Sequence, residues 1–131
     1  MTPCRVLVVE DNPINQLVIR TMLGREGIDV HMAGNGAEGV ERAQEGNFDL
    51  VLMDLQMPVM DGFEATRRIR QLPGLTANVP IVAVTANTLP ADRRHAEEAG
   101  MDDFIAKPVR LGVLRTALER WLGCMREKRA S

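Results

Sequence analysis

The sequence predicts an α/β domain of the (βα)5 type, a doubly wound five-stranded parallel sheet with helices on both faces. Short apolar segments alternate with amphipathic segments five times along its 131 residues. Three of the apolar segments are nearly continuous in Val, Leu, Ile, Met and Ala, which is typical of parallel strands covered on both faces. Because β-α-β crossovers are right-handed, successive units of this kind place helices on both sides of one sheet.

The predicted strands are the five apolar segments. The second alternates Asp29 and His31 with Val30 and Met32, so we expect it to be half exposed and to lie near an edge. The strands are predicted at Arg5–Val9, Asp29–Met32, Leu50–Met53, Ile81–Val84 and Phe104–Ala106.

Capping residues mark the five predicted helices. Asn, Asp or Thr opens four of them, Pro occupies the first turn of two, and Gly stands at most of their ends. The predicted helices run from Asn12-Pro13 to Gly24 and Gly27, from Asn35-Gly36 to Gly46-Asn47, from Asp61 to Pro73-Gly74, from Thr88 and Pro90 to Gly100, and over Val109–Met125.

Two of these helices depart from a simple one-sided pattern. The apolar residues of the first spread over roughly 240° at 100° per residue, far wider than one core-facing stripe. Either this helix is wedged between the sheet and another helix, or it presents an apolar patch to a helical partner. The fourth helix has few apolar anchors, so we expect a weakly packed element that is able to move.

The amino-acid composition indicates an ordinary globular domain. Hydrophobic residues make up 45% and charged residues 26% of the chain, as in ordinary globular domains. A net charge of −2 gives no electrostatic reason to expect nucleic acid or a membrane surface as a partner. No leader is visible and no apolar run approaches about 18 residues, so we expect one cytoplasmic domain over 1–131 with a short tail at 126–131. Cys4 and Cys124 are expected to be structural thiols in a reducing compartment.

Four of the apolar segments run directly into polar residues suited to phosphate chemistry. Glu10 and Asp11 follow the first predicted strand, Asp54 the third, Thr85 the fourth and Lys107 the fifth. The carboxyl ends of neighbouring parallel strands lie side by side, and ligands bind at that edge of open α/β sheets. Three carboxylates, a hydroxyl and an ammonium are therefore expected to converge on one small site.

Three carboxylates at one edge favour a bound cation. Unit charges about 4 Å apart repel by roughly 4 kcal/mol at an effective dielectric constant near 20, so Glu10, Asp11 and Asp54 would raise one another's pKa. An all-oxygen anionic site suits a hard divalent ion, and we expect Mg²⁺, which Mn²⁺ can replace. The alternative, three solvated acids at a loop edge, is disfavoured by the buried strands that precede them and by Lys107 facing them.

The remaining groups complete a site for phosphoryl transfer. Lys107 can neutralise one phosphoryl oxygen and the Thr85 hydroxyl can donate to another. One carboxylate must then be the nucleophile and form an acyl phosphate. Asp54 follows the most central segment and is the best candidate, which leaves Glu10 and Asp11 to hold the metal.

The motifs VVEDNPIN, MDLQMPVMDG, PIVAVTAN and FIAKPV resemble those of the receiver domains of two-component response regulators, in the same order and spacing over nearly the whole chain. The resemblance implies a flavodoxin-like strand order, 2-1-3-4-5. It implies that Asp54 takes a phosphoryl group from a phosphohistidine on a histidine kinase or phosphotransfer protein and loses it by slow self-hydrolysis. The domain would not be a turnover enzyme in itself, although it could be a fragment of a histidine kinase. Asp11 and Asp54 would be side-chain metal ligands, with the backbone carbonyl of Gln56 as a third ligand and Glu10 acting through water.

Phosphate contacts and a conformational switch follow from the same resemblance. Thr85 and Lys107 would be phosphate ligands, and the Lys107-Pro108 peptide bond would be cis. On phosphorylation Thr85 would move toward the phosphoryl group, and Phe104, where many members have Tyr, would fill the vacated space; the alternative is that Phe104 is only a core residue. Gln56 and Asn87 occupy positions that tune the lifetime of the aspartyl phosphate.

The particular residues in these motifs indicate a subfamily. The run from Asn12 to Gln16 is most similar to receivers of hybrid histidine kinases, which commonly pass phosphate to a histidine phosphotransfer domain docked on the first helix. Ile14, Val18 and Met22 fit such docking. The alternative is a stand-alone single-domain response regulator acting through protein contacts. We expect a monomer or weak dimer, located in the cytoplasm or in the cytoplasmic part of a membrane-bound hybrid kinase.

Three other functions compete with this interpretation. A phosphohydrolase of the haloacid-dehalogenase type would need a second acid two residues after the nucleophile, where this chain has Gln56. An interaction module that works without phosphorylation would usually lack part of the acid, threonine and lysine set, which is complete here. A flavodoxin-type electron carrier would need a hydroxyl-rich phosphate loop and aromatic residues, and the aromatic content is only 3%.

Overall fold

The computed structural model describes residues 3–86 and 88–123. Asn87 and the predicted tail at 126–131 lie outside the described residues. Strands and helices alternate as predicted, and a short 3-10 helix at Gly74–Asn78 is added before the fourth strand. The elements are β1 (Arg5–Val9), α1 (Pro13–Arg25), β2 (Asp29–Ala33), α2 (Gly36–Glu45), β3 (Leu50–Asp54), α3 (Gly62–Arg70), β4 (Ile81–Thr85), α4 (Pro90–Ala99), β5 (Asp103–Ala106) and α5 (Leu111–Trp121).

The five strands form one parallel sheet in the order β2-β1-β3-β4-β5, which confirms the predicted topology. β2 lies at an edge, as its alternating pattern predicted. In the register of the sheet Val9 pairs with Met53, and Asp54 pairs with Val84. The residues that end or follow β1, β3 and β4 therefore share the carboxyl edge of the sheet.

Two apolar cores lie on opposite faces of the sheet, which is the doubly wound arrangement. α1 and α5 cover one face, where Leu23 and Leu118 are fully buried against strand residues such as Val8. α2, α3 and α4 cover the other face, where Ile69 of α3 and Ala96 of α4 are buried. α4 buries only alanines, Ala96 and Ala99, so its weak anchoring is confirmed.

The predicted boundaries of two helices are wrong. α3 ends at Arg70, because the residue before Pro73 is sterically kept out of the helical region. The chain then forms the 3-10 helix, which the guanidinium of Arg70 holds by donating to the carbonyl oxygens of Ala77 and Val79 at 2.9 and 2.6 Å. α5 begins at Leu111, because Arg110 before it is extended (φ −102°, ψ 141°).

The state of Cys4 differs from the sequence-based expectation. Cys4 is buried and takes part in a disulfide, so the prediction that it remains a thiol is wrong; Cys124 lies outside the described residues. Across the part of the chain that the structure describes, none of the helices has the length and apolar character that a membrane crossing requires.

The start of α3 packs against the end of β3 with no room for a side chain. A Cβ at Gly62 would collide with the carbonyl oxygen of Asp54 and approach Leu55 Cα to 2.9 Å. We expect Gly62→Ala to lower the free energy of unfolding by about 1–3 kcal/mol, the usual cost of overpacking, as measured by urea denaturation. Gly24→Ala in α1, where nothing lies within 4 Å, is the control and should gain about 0.5–1 kcal/mol. A Gly62→Ala protein as stable as the wild type would contradict this packing argument.

Candidate functional site

The three predicted acids meet at the carboxyl edge of the sheet. Glu10, Asp11 and Asp54 each offer a carboxylate oxygen, and these oxygens lie within 4.8 Å of one another. Glu10 and Asp54 are 1% and 4% exposed, whereas Asp11 is exposed. The cluster is thus buried on one side and open to solvent on the other.

Lys107 faces these acids from the loop after β5. Its Nζ lies 3.2 Å from Glu10 Oε2 and 3.2 Å from Asp54 Oδ2. Its backbone N–H donates to the carbonyl oxygen of Thr85 at 2.8 Å, which ties this loop to the end of β4. The Lys107-Pro108 peptide bond is cis, as the resemblance implied.

Burial and the charges of neighbouring groups shift the pKa values of Asp54 and Lys107 in this cluster. Burial and then the Glu10 charge raise the pKa of Asp54 to about 6, although Lys107 and the N–H of Gln56, which donates to Asp54 Oδ1 at 3.3 Å, act in the opposite direction. Burial alone would lower the pKa of Lys107, but the charges of Asp54 and Glu10 raise it overall. Three carboxylates and one ammonium leave an excess of negative charge, so the oxygen-only donor set suits a hard divalent cation.

Thr85 and Phe104 occupy the last two strands. Thr85 is 1% exposed at the end of β4, beside Ala106 of β5. Phe104 is partly buried in β5 and packs against the α2–α4 core. The guanidinium of Arg93 in α4 lies 5.1 Å from the centre of the Phe104 ring, so α4 covers the aromatic that the sequence singled out. The predicted role of Asn87 falls on a residue outside the described part.

The exposed face of α1 carries an apolar patch, which we define as Ile14, Leu17 and Val18. Their exposed fractions are 72%, 65% and 41%, so this part of the wide apolar surface is exposed, whereas Ile19 and Leu23 are buried in the core that α1 shares with α5. Sequence reasoning did not assign Leu17 to the patch. It did assign Met22, which is partly buried and packs against the α1–α5 core.

Sequence reasoning used the run from Asn12 to Gln16 only to narrow the subfamily and missed its contacts with Glu10. Asn12, Asn15 and Gln16 all donate hydrogen bonds to Glu10, through a backbone N–H, a side-chain amide and a side-chain amide respectively. Helical spacing was the available signal, because the three residues lie on the same side of the helix as its buried apolar residues.

The parallel sheet is doubly wound, and an acid cluster, a lysine and a buried threonine lie at its carboxyl edge. These features define an α/β domain of the class that holds a cation and a phosphoryl group at this edge. The chain belongs to the response regulator receiver domain family, whose model matches residues 6–119.

Relatives with curated functions include two histidine kinases. The chain is 42% identical over 119 residues to hybrid signal transduction histidine kinase G of Dictyostelium discoideum, a match that covers 89% of this chain and 4% of the kinase. It is 41% identical to sensor histidine kinase RcsC of Salmonella typhimurium, covering 95% of this chain and 13% of the kinase. The chain therefore spans only a small part of these relatives.

Solved structures of receiver domains superpose closely on the fold. One is the receiver domain of a Pseudomonas aeruginosa sensor histidine kinase with a magnesium ion coordinated in the active-site cleft: 43% identity, TM-score 0.86, covering 93% of this chain and 99% of that one. Another comes from the co-crystal of the Saccharomyces cerevisiae phosphotransfer protein Ypd1 and the receiver domain of Ssk1: 38% identity, TM-score 0.86, covering 95% and 91%.

Proposed function

We propose that this receiver domain accepts a phosphoryl group on Asp54 from a phosphohistidine and changes its surface in response. One observation carries the assignment: the Asp54 carboxylate is buried at the carboxyl edge of the sheet, 3.2 Å from the ammonium of Lys107 and beside Glu10 and Asp11. The neighbouring acids supply a cation site and the ammonium supplies a phosphate contact. Glu10 lies equally close to that ammonium, but Asp54 is the acid that ends β3, the central strand of the sheet.

The cation in this proposal is Mg²⁺, which Mn²⁺ can replace, and the donor set fits it. Asp11 and Asp54 would hold it through their carboxylates, Gln56 through its backbone carbonyl and Glu10 through water. The similar Pseudomonas aeruginosa domain has magnesium in its active-site cleft. When bound, the ion would offset the negative charge of the phosphoryl oxygens.

The residues of the chain then perform an in-line transfer. A bond forms between phosphorus and a carboxylate oxygen of Asp54 while the phosphorus–nitrogen bond of the donor breaks, and the imidazole leaves with the electron pair and takes up a proton. Lys107 pairs with one phosphoryl oxygen, and the Thr85 hydroxyl donates to another. Positioning and charge stabilisation are the main requirements of such a reaction.

Intact-mass spectrometry tests the proposal directly. Incubation with Mg²⁺ and acetyl phosphate is expected to add the mass of one phosphoryl group, and EDTA should prevent the addition. No added mass under either condition would contradict the proposal and favour an interaction module that works without phosphorylation. Steady turnover of a phosphomonoester such as p-nitrophenyl phosphate would instead favour a phosphohydrolase.

Phosphorylation is proposed to reach the far face through Thr85 and Phe104. Movement of Thr85 toward the phosphoryl group would open space for the Phe104 ring, which Arg93 of α4 now contacts. The surface formed by α4, β5 and α5 would be the face that changes. Gln56 and Asn87 would set how long the aspartyl phosphate lasts.

The partner in this proposal is a histidine phosphotransfer domain or a histidine kinase, and the chain is the receiver of a hybrid histidine kinase. One relative is a hybrid histidine kinase and another is a sensor histidine kinase. A similar receiver was crystallised with a phosphotransfer protein. The domain, taken as one unit over 1–131, would be a monomer or weak dimer in the cytoplasm. The exposed patch on α1, at the same end as Asp54, is the proposed docking surface.

Replacing Leu17 tests the docking surface. We expect Leu17→Ser to slow phosphotransfer from a phosphorylated histidine phosphotransfer domain about 10- to 100-fold, because burying a leucine contributes about 1.5–3 kcal/mol. Labelling by acetyl phosphate should be unchanged. Leu75→Ser, the same substitution at an 89% exposed leucine of the 3-10 helix, is the matched control. Equal losses in the two variants would remove the patch from the proposal.

A further inference from the structure

At the start of α1, polar residues occupy positions that the apolar periodicity of the helix assigns to its core-facing side. At 100° per residue, Asn12, Asn15, Gln16, Ile19 and Leu23 share one stripe of the helix. Ile19 and Leu23 are 2% and 0% exposed and pack in the α1–α5 core. Of the polar residues at the top of the stripe, Asn12 is exposed, whereas Asn15 and Gln16 are half-buried. A polar side chain that loses contact with water is costly unless it is hydrogen-bonded.

These polar residues make hydrogen bonds with Glu10. Asn15 Nδ2 donates to Glu10 Oε1 at 3.1 Å, and the backbone N–H of Asn12 donates to the same oxygen at 3.3 Å. Gln16 Nε2 donates to the backbone carbonyl oxygen of Glu10 at 2.6 Å. The first turn of α1 thus holds both the main chain and the carboxylate of Glu10.

Asn15 is the member of this group whose side chain orients the carboxylate. The Asn12 contact is a backbone N–H that any side chain leaves in place, since the Asn12 side chain instead caps α1 by accepting from the N–H groups of Ile14 and Asn15. Gln16 acts on the main chain of Glu10. Asn15 holds Oε1, while Oε2 lies 3.2 Å from Lys107 Nζ, which also donates to Oε1 at 3.4 Å and contacts Asp54.

We propose that Asn15 is a positioning residue of the cation site, which sets the affinity for Mg²⁺ by fixing the orientation of the buried Glu10 carboxylate. The inference rests on the proposed function, because it assumes that the acid cluster holds the ion. Asn15 contacts Glu10, which would reach the ion through water, so it lies one step further out than the partners of direct metal ligands. Loss of such partners costs about 10- to 100-fold in affinity, and we expect the low end of that range for Asn15.

Calorimetric titration of the unphosphorylated protein with Mg²⁺ measures this effect. Asn15→Ala is expected to weaken Mg²⁺ binding about 10-fold. Asn12→Ser is the matched control on the same turn, because Ser is also a good N-cap and the backbone N–H to Glu10 remains; its affinity should stay within about twofold of the wild type. In the acetyl phosphate assay the Mg²⁺ concentration for half-maximal rate should rise by the same factor in Asn15→Ala. The rate at saturating Mg²⁺ should be nearly unchanged.

The outcomes separate this inference from the proposed function. A wild-type protein that does not bind Mg²⁺ would contradict the proposed function. A wild type that binds, with Asn15→Ala binding equally well or Asn12→Ser losing as much, would overturn only the role of Asn15. Should the variant not fold, the wild type still provides a test. The side-chain amide signals of Asn15 in a ¹H–¹⁵N NMR spectrum should shift along the same Mg²⁺ binding curve, and unshifted signals would overturn the inference.

Discussion

Asp54→Asn is expected to abolish phosphorylation by acetyl phosphate and by a phosphohistidine donor. The amide has nearly the same shape as the carboxylate but is not a nucleophile, so no acyl phosphate can form. Intact mass after incubation with Mg²⁺ and donor is the measurement. Asp61→Asn is a matched control near the site, because Asn can also cap α3 as Asp61 does by accepting from Glu64 N–H at 2.9 Å. Labelling of Asp54→Asn at the wild-type rate would place the phosphoryl group elsewhere.

The same substitution is expected to stabilise the protein at pH 7 in EDTA. The folded-state pKa of Asp54 is about 6 against an ordinary value of 3.8, so the folded state binds this proton more tightly than the unfolded state. The contribution of Asp54 to stability is therefore greatest below pH 4, falls as the pH rises toward 6 and stays low above it. At about 1.36 kcal/mol per pKa unit, Asp54→Asn should gain up to about 3 kcal/mol at pH 7.

Denaturation of both proteins across pH 4 to 7 in EDTA checks the sign of this effect. The wild type should lose stability over this range relative to Asp54→Asn, because only the wild type carries the titrating carboxyl. Mg²⁺ should reduce the difference at pH 7, since a cation offsets the repulsion between Asp54 and Glu10. A wild type that becomes more stable relative to the variant as the pH rises would contradict the raised pKa.

The fold and the main site could be predicted because both depend on simple patterns. Buried parallel strands appear as short apolar runs, and the polar residue after each run must lie at the shared carboxyl edge. Glu10, Asp54, Thr85 and Lys107 each directly end or follow such a run, and Asp11 comes next after Glu10. Their convergence therefore follows from topology alone, without any knowledge of side-chain packing.

What could not be predicted depends on packing in three dimensions. Helical spacing places Asn15 on the buried side of α1, but it does not show that the side-chain amide reaches the carboxylate of Glu10. Met22 differs from Val18 in exposure because it lies closer to the buried side of the helix, although the two are only one turn apart. The 3-10 helix depends on the guanidinium of Arg70, whose acceptors lie seven and nine residues later in the chain.

Lys107→Met is expected to slow phosphorylation of Asp54 about 10²- to 10³-fold, the usual cost of removing one charge-stabilising donor from an active site. The Lys107 ammonium lies 3.2 Å from Asp54 Oδ2, where it can pair with a phosphoryl group attached to that carboxylate. Methionine keeps the length of the apolar stem but has no charge. The rate of mass gain at saturating Mg²⁺ and acetyl phosphate is the measurement.

The same variant removes the ammonium that pairs with the buried Glu10 and Asp54 side chains, which are 2% and 4% exposed. Breaking such a pair should lower the free energy of unfolding by about 3 kcal/mol in EDTA at pH 7. Adding Glu10→Gln removes one uncompensated carboxylate and should recover much of this stability, while phosphorylation stays slow. Glu10→Gln alone provides the reference for any effect on Mg²⁺ binding. If the double variant were labelled as fast as Glu10→Gln alone, Lys107 would balance charge in the folded state without contacting the phosphoryl group.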